Sequence, residues 1–358
     1  MSAAELWAQP PLPPTKLGRH RQLSPTAVWD KWTGLLGAMD KEASFKLLDA
    51  FYEAGGNFID TANNYQDETS EEFLGIRYQM YTSNSKRGRK DIKQHTRYVG
   101  NNMKSLALSV EESLKKLRTT YIDILYLHWW DYTTSIEEVM NGLHALVMAG
   151  KALYISDTPA WIVSSANRYA RMSGRTLFVV YQGAWSVLER EFERDIIPMA
   201  RSEGMALAPW GVLAAGKIRT DEEELKRRQT GEKGRTMSSF EWERTEEQRK
   251  VAKVLEEVAA DVGAPNIQAG DCYRILMQKS PYVFPILGGR KVEHLHGNIQ
   301  ALDVALSDEH IQKIEAAVPF LKGNLYAALG DGSDYDFFHR NAGHFDKWPT
   351  QPAIRPAH

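Results

Sequence analysis

Asp60, Tyr65 and His128 are the residues of this chain whose types and placement best suit proton transfer: a carboxylate, a phenol and an imidazole, each close to the end of an apolar run. In a sheet of parallel strands wrapped by helices, side chains just past the C-terminal strand ends converge on the active site, so polar residues that follow each run are the candidates. Asp60, His128, Ser156 with Asp157, Gln182 and Trp210 all stand there. Taken singly, a histidine or aspartate at such a point is more often a cap or a packing residue. A tyrosine at 65, ahead of a helix that Thr69 or Ser70 can cap, is more often a lid or packing group than an acid. Their shared position is what raises them together.

The elements that must position these groups alternate short apolar runs with longer helical patterns from Lys41 onward, the grammar of βα units around a parallel sheet. Phe45, Leu47, Leu48, Phe51 and Tyr52 predict a helix over Lys41–Ala54, stopped by Gly55-Gly56 before a strand over Asn57–Asp60. Further helices are predicted over Ser105–Leu117, Ile136–Ala149, Pro159–Ser173, Glu189–Glu203, Glu246–Val262, Val292–Leu302 and Asp308–Val318. Strands are predicted over Tyr121–His128, Ala152–Ser156, Phe178–Gln182, Ala206–Trp210 and Tyr282–Leu287. The charged stretch Thr220–Thr245 reads as a solvated loop. The expected organisation is an N-terminal extension with a degenerate first strand over 1–40, a barrel over 41–318 and an aromatic tail over 319–358.

Several motifs carry a resemblance to one family. Phe58-Ile59-Asp60-Thr61-Ala62-Asn63-Asn64-Tyr65 resembles the D-x-A-x-x-Y motif of the aldo-keto reductases, and Tyr121 to His128 looks like the strand that ends in the family's catalytic histidine. Val180-Tyr181-Gln182 and Pro285-Ile286-Leu287-Gly288-Gly289-Arg290-Lys291 are similar to its nicotinamide and phosphate contacts. Within the family, His128-Trp129-Trp130-Asp131-Tyr132, Ser156-Asp157-Thr158-Pro159-Ala160-Trp161 and Gly343-His344-Phe345-Asp346-Lys347-Trp348-Pro349 most resemble fungal aryl-alcohol dehydrogenases and norsolorinic-acid-reductase-like proteins. The resemblance implies a (β/α)8 TIM barrel and NADP(H)-dependent interconversion of aromatic aldehydes or ketones and alcohols. Tyr65 would be the proton donor, its phenol pKa of about 10 lowered by a lysine that is paired to Asp60, while His128 orients the carbonyl. Ser156, Asp157 and Gln182 would hold the carboxamide and Trp210 would stack on the nicotinamide; the family often has asparagine where this chain has Asp157. Gly288, Arg290, Lys291, His294 and Asn298, at the start of a helix, would hold the adenosine phosphate, which favours NADP over NAD. Trp129, Trp130, Trp185 and the tail aromatics are the expected pocket walls.

The chain also departs from the family pattern. No strand ending in lysine is evident between Gly75 and Ser105; Ile76 to Tyr81 alternates with period two but ends without one, and Lys86, Lys90, Lys93 and Lys104 lie beyond it. The first strand has no convincing counterpart between Leu23 and Asp40, and the strand at Ala152–Ser156 is two residues short. The expected barrel is therefore one whose first and third strands are not evident. Two accounts remain open, a catalytically weak member or misassigned exon boundaries.

Composition narrows the function classes. With 44 basic and 46 acidic residues in 358, the chain offers no electrostatic footprint for nucleic acid or an anionic membrane, which points to a small-molecule substrate. One cysteine, Cys272, excludes an internal disulfide and fits a reducing compartment, so the cytoplasm is the expected location. No stretch has the apolar length to span a bilayer. The rival to an enzyme is a catalytically inactive NADP(H)-binding or regulatory protein on the same scaffold. A metal hydrolase is a weaker third reading, because His95, His128 and His144 have no metal-site spacing. Oligomeric state is left open.

Overall fold

The computed structural model describes residues 22–23, 39–63, 65, 69–77, 81–83, 100–148, 152–231, 242–264, 266–267, 272–347 and 349–353. It is an α/β fold built on parallel strands. In chain order the elements are β1 (Gln22–Leu23), α1 (Lys41–Glu53), α2 (Thr69–Arg77), β2 (Tyr81–Ser83), α3 (Met103–Leu117), β3 (Ile124–His128), α4 (Ile136–Val147) and β4 (Ala152–Ser156). They continue with α5 (Ala160–Ser173), β5 (Val180–Ala184), α6 (Ile196–Glu203), β6 (Ala206–Trp210), α7 (Asp221–Thr230), α8 (Glu246–Asp261), α9 (Tyr273–Lys279) and β7 (Ile286–Leu287). The last are α10 (Val292–Gln300), α11 (Asp308–Ala317), α12 (Asn324–Leu329) and α13 (Phe337–Ala342).

Strands β2 to β6 pair in parallel in sequence order, and β1 pairs in parallel with β7. A single parallel bridge, Leu207 to Val283, links β6 to the approach of β7, supported by hydrogen bonds from Leu207 N to Tyr282 O and from Phe284 N to Leu207 O. Each parallel neighbour needs a crossover, and amphipathic helices supply it. In α3, for example, Leu106, Val110 and Leu117 lie on the face turned to the sheet, while Asn102 caps the N-terminus by accepting from Ser105 N. Strand β3 is buried along its whole length, so its run of Ile, Leu, Tyr, Leu and His is covered on both faces.

Local signals account for the helix ends. Asp40 caps α1, with Ala43 N donating to its carboxylate at 2.7 Å, and Gly55 leaves the helix at φ 86°. Gly56 has a second reason to be glycine: a Cβ there would lie 2.4 Å from the buried ring of Phe51. Helix α10 packs against α1, bringing the last of the βα units against the first helix.

Several expectations need correction. The first strand exists: Gln22 and Leu23 register with Ile286 and Leu287, a two-residue pairing too short to show any periodicity. A strand also exists beside β3 on the side of the missing third strand, with Tyr81, Thr82 and Ser83 opposite Leu125, Tyr126 and Leu127. Ile76 and Arg77 belong instead to helix α2. Asn57–Asp60 forms no strand, only a single bridge residue at Ile59. The charged stretch read as a loop contains helix α7, because Thr220 and Glu223 form a reciprocal capping box and Glu224 gathers guanidinium groups from Arg219, Arg228, Arg244 and Arg249. Burial would raise the Glu224 carboxyl, but these guanidiniums hold it down at about 2.

The aromatic tail carries the short helices α12 and α13. It starts against the beginning of α6, where Tyr326 hydrogen-bonds Asp195, and descends past Arg201, which pairs with Asp331. It ends with Gln351 donating to the Tyr282 hydroxyl ahead of β7. Tyr335, His339 and Phe345 pack on one another there. Trp348 and the side chain of Phe337 fall outside the described residues. No described helix is long and apolar enough to cross a membrane.

Candidate functional site

The parallel register puts three of the candidate groups in one row. His128 at the end of β3 stands opposite Ser156 of β4, and Ser156 stands opposite Gln182 of β5. Residues opposite each other in a parallel ladder point to the same face, so imidazole, hydroxyl and carboxamide share one side of the sheet. Asp60, 122 residues before Gln182, reaches the same row: Gln182 Nε2 donates to its Oδ2 at 3.4 Å.

Asp157 extends the row sideways. It turns out of β4 with φ 46°, held there by its N–H donating to Gln182 O at 2.9 Å. Its carboxylate accepts from Trp129 Nε1 and Trp210 Nε1, each at 3.1 Å, and lies 3.1 Å from Ser156 Oγ. The Ser156 hydroxyl is shared with Gln182 Oε1 at 3.4 Å. The Trp129 ring sits 4.9 Å from that of His128, and His128 in turn meets Tyr65 edge-on with ring centroids 6.2 Å apart. Contacts thus run without a break from Asp60 through Gln182, Ser156, Asp157, Trp129 and His128 to Tyr65, five residues along the chain from where they began.

Burial sets the protonation states. Asp60 is buried and its carboxyl is pushed up to about 7, with the Gln182 amide only partly offsetting the loss of water. Its Oδ1 has no hydrogen-bond partner, and no ion pair to Asp60 exists among the described residues. His128 is driven down to about 4 by burial, which favours a neutral ring at physiological pH. Asp157 is raised by burial, opposed by the Trp210, Ser156 and Trp129 donors. Tyr181, whose hydroxyl donates to Thr158 O at 2.7 Å, is raised by burial and then by the charge of Asp157.

Of the expected pocket walls, Trp129 and Trp210 are exposed at this rim, and Trp130 is half-buried against the core. Trp185 is a correction. It is fully buried, stacked on Phe192 at 5.3 Å, and its indole N–H donates to Glu193, so it supports the core beneath the site. At the other end of the fold, Gly288, Gly289 and Arg290 lead from β7 into α10, whose N-cap Lys291 is extended and makes no side-chain cap. The backbone N–H groups of the first turn are therefore not capped by that residue, and a Cβ at Gly289 would meet nothing nearer than 3.8 Å. Lys291 and His294 are exposed there, while Asn298 is buried one turn further on. A phosphate suits this arrangement of approach, dipole and basic side chains.

Lys86, Lys90 and Lys93 lie outside the described residues, and Lys104 is exposed in the first turn of α3. Two supports went unnoticed in the sequence. Asp131 accepts from the N–H groups of Asn101, Thr133 and Thr134 and from the Thr134 hydroxyl, while Asn101 Nδ2 donates to Trp129 O. Burial would raise this carboxyl, but those donors hold it down at about 2 and fix the turn that follows His128. The Asp-x-Thr-Thr spacing is the signal that could have shown it. Lys116, paired with buried Glu71 at 2.6 Å, also donates to Asn63 O at 3.3 Å and so braces the segment between Asp60 and Tyr65. That link joins residues 53 apart and leaves no local pattern.

Comparison with known proteins shows the family. Residues 27–319 match the model of the aldo/keto reductase family. The chain is 58% identical to an aryl-alcohol dehydrogenase [NADP(+)] of Phanerodontia chrysosporium, over 98% of this chain and 99% of that protein. It is 44% identical to norsolorinic acid reductase B of Dothistroma septosporum, over 94% of each, and 45% identical to norsolorinic acid reductase A of Aspergillus parasiticus, over 87% and 84%. The first alignment extends over 382 positions, more than the 358 residues of this chain, so that relative has positions to which this sequence offers no counterpart.

Proposed function

Because this chain belongs to the aldo/keto reductase family, an oxidoreductase family, we propose that it interconverts aromatic aldehydes or ketones and the corresponding alcohols with NADP(H), using Tyr65 as the proton donor. The observation that carries this reading is the juxtaposition of Tyr65 and His128 at 6.2 Å beside the row of Ser156 and Gln182. The names of the relatives, an NADP(+) aryl-alcohol dehydrogenase among them, support the aromatic substrate and the cofactor. The parallel run from β2 to β6, its bridge to β7 and the pairing of β7 with β1 support a (β/α)8 barrel.

When bound, the cofactor supplies or accepts the hydride. The residues of the chain do the rest. Ser156 and Gln182 present a hydroxyl and an amide that match a carboxamide, and the loop before α10 with Arg290 and Lys291 suits the adenosine phosphate. Neutral His128 donates an N–H to the carbonyl oxygen and orients it. Tyr65 delivers a proton to that oxygen in reduction and removes it in oxidation. Trp129 and Trp130 offer apolar surface for an aromatic ring.

Veratraldehyde-dependent consumption of NADPH by purified protein tests the reading, and its loss in Tyr65→Phe assigns the acid. A second reading, a nucleotide-binding protein without turnover, is favoured by one observation: the buried Asp60 carboxylate has no cation beside it among the described residues. NADPH binding measured by calorimetry without consumption of any aromatic aldehyde would select it.

A further inference from the structure

Several buried carboxylates elsewhere in this fold are matched by cations, although Asp60 has none among the described residues. Glu224 has its four guanidiniums, Glu193 has Arg190 and Lys279, and Glu71 has Lys116. Asp157 is different. Its acceptors are filled by two indole N–H groups and one hydroxyl, all neutral, and no cation pairs with it among the described residues. Dipoles of this kind stabilise an anion without cancelling its charge, so its negative potential persists at the ends of β3, β4 and β6. Three donors converging on one side chain also define the form the site is built for, since an ionised carboxylate accepts at every position and a protonated one does not.

A nicotinamide ring changes by one unit of charge between its two states: the oxidised ring is a cation and the reduced ring is neutral. We propose that Asp157 sets the balance between the two forms of the cofactor, its fixed negative charge favouring the oxidised pyridinium over the reduced ring. The inference rests on the reading above that the nicotinamide end lies against Ser156, Gln182 and Trp210. Asparagine, which the family often carries at this position, offers hydrogen bonds but no charge. The negative end here tilts the bound couple toward the oxidised form, and so toward reduction of the carbonyl substrate. The expected bias of a single uncancelled charge, partly screened at the rim, is on the order of tenfold.

The test is the ratio of dissociation constants for NADP+ and NADPH, measured by calorimetry on the full chain at mildly alkaline pH, where the carboxylate is ionised. Asp157→Asn and Asp157→Ala should each weaken NADP+ relative to NADPH by about tenfold. Trp129→Phe removes a neutral donor and keeps the charge, so it should leave the ratio unchanged even if both affinities fall. Because a packing defect acts on both forms alike, the ratio separates charge from structural damage. A ratio within twofold of the parent in both Asp157 variants overturns the proposal while leaving the cofactor site in place. Failure of the unaltered protein to bind either form overturns the proposal together with the reading beneath it.

Discussion

Replacing Asp60 by asparagine should stabilise this protein above neutral pH, and the size and pH range of the effect follow from the site. Burial lifts the Asp60 carboxyl from an ordinary value of 3.8 to about 7. Between those values the folded chain binds the proton more tightly than the unfolded one, so stability falls as pH rises through that window and the full cost is present above it. About three units at about 1.4 kcal/mol each gives a cost on the order of 4 kcal/mol. His128, lowered from 6.5 to about 4, acts in the opposite sense: the unfolded chain takes up the proton first, so stability rises with pH across that range. In the parent the two slopes largely offset each other between about pH 4 and 6.5. Asp60→Asn removes one of them. Urea midpoints measured in steps from pH 4 to 8 should therefore be equal for variant and parent at the acid end and diverge upward, with the variant ahead by several kcal/mol at pH 8. The variant alone should gain about 3 kcal/mol between pH 4 and 7 from the unmasked histidine. If Asp60→Asn is instead the less stable protein at pH 8, Asp60 has a cationic partner in the folded chain and the reasoning fails.

Tyr65→Phe should lower the turnover of veratraldehyde on the order of 100- to 10,000-fold while the calorimetric affinity for NADPH changes little, as expected for loss of a proton donor that does not hold the cofactor. Glu224→Gln leaves Arg219 and Arg244 buried without their carboxylate, and thermal melts should show a loss of about 3–5 kcal/mol. Gly56→Ala places a methyl group against the buried ring of Phe51 and should cost about 1–3 kcal/mol by the same measurement, with no change in the NADPH affinity of the folded protein.

The parts of this fold that were legible in the sequence are those whose stability is local and apolar. Ala152–Ser156 and Ala206–Trp210 appear as strands with the expected bounds, and Ile124–His128 lies inside the longer run expected there, because continuous buried runs flanked by polar residues have few other uses. The polar residues after those runs do share one face, as the row of His128, Ser156 and Gln182 shows. What was hidden depends on partners distant in sequence. Helix α7 looks like a solvated loop until Arg244 and Arg249 arrive to neutralise Glu224. β1 and β2 are too short for a two-residue period to register, and their existence is decided by the open edges of β7 and β3. Trp185 shares its residue type with Trp129, and only tertiary packing separates a core ring from a rim ring.

The ladder that aligns His128, Ser156 and Gln182 has a consequence for changes in the length of the chain. Register between neighbouring strands is fixed by their own hydrogen bonds, so the length of the intervening crossover does not enter the relative placement of the three groups. Deletions ahead of β3 shorten the path to the row without shearing it. A change of length ahead of β3 therefore leaves His128, Ser156 and Gln182 aligned, and the segment carrying Tyr65, which lies before β3, is the component whose placement such a change would reach first.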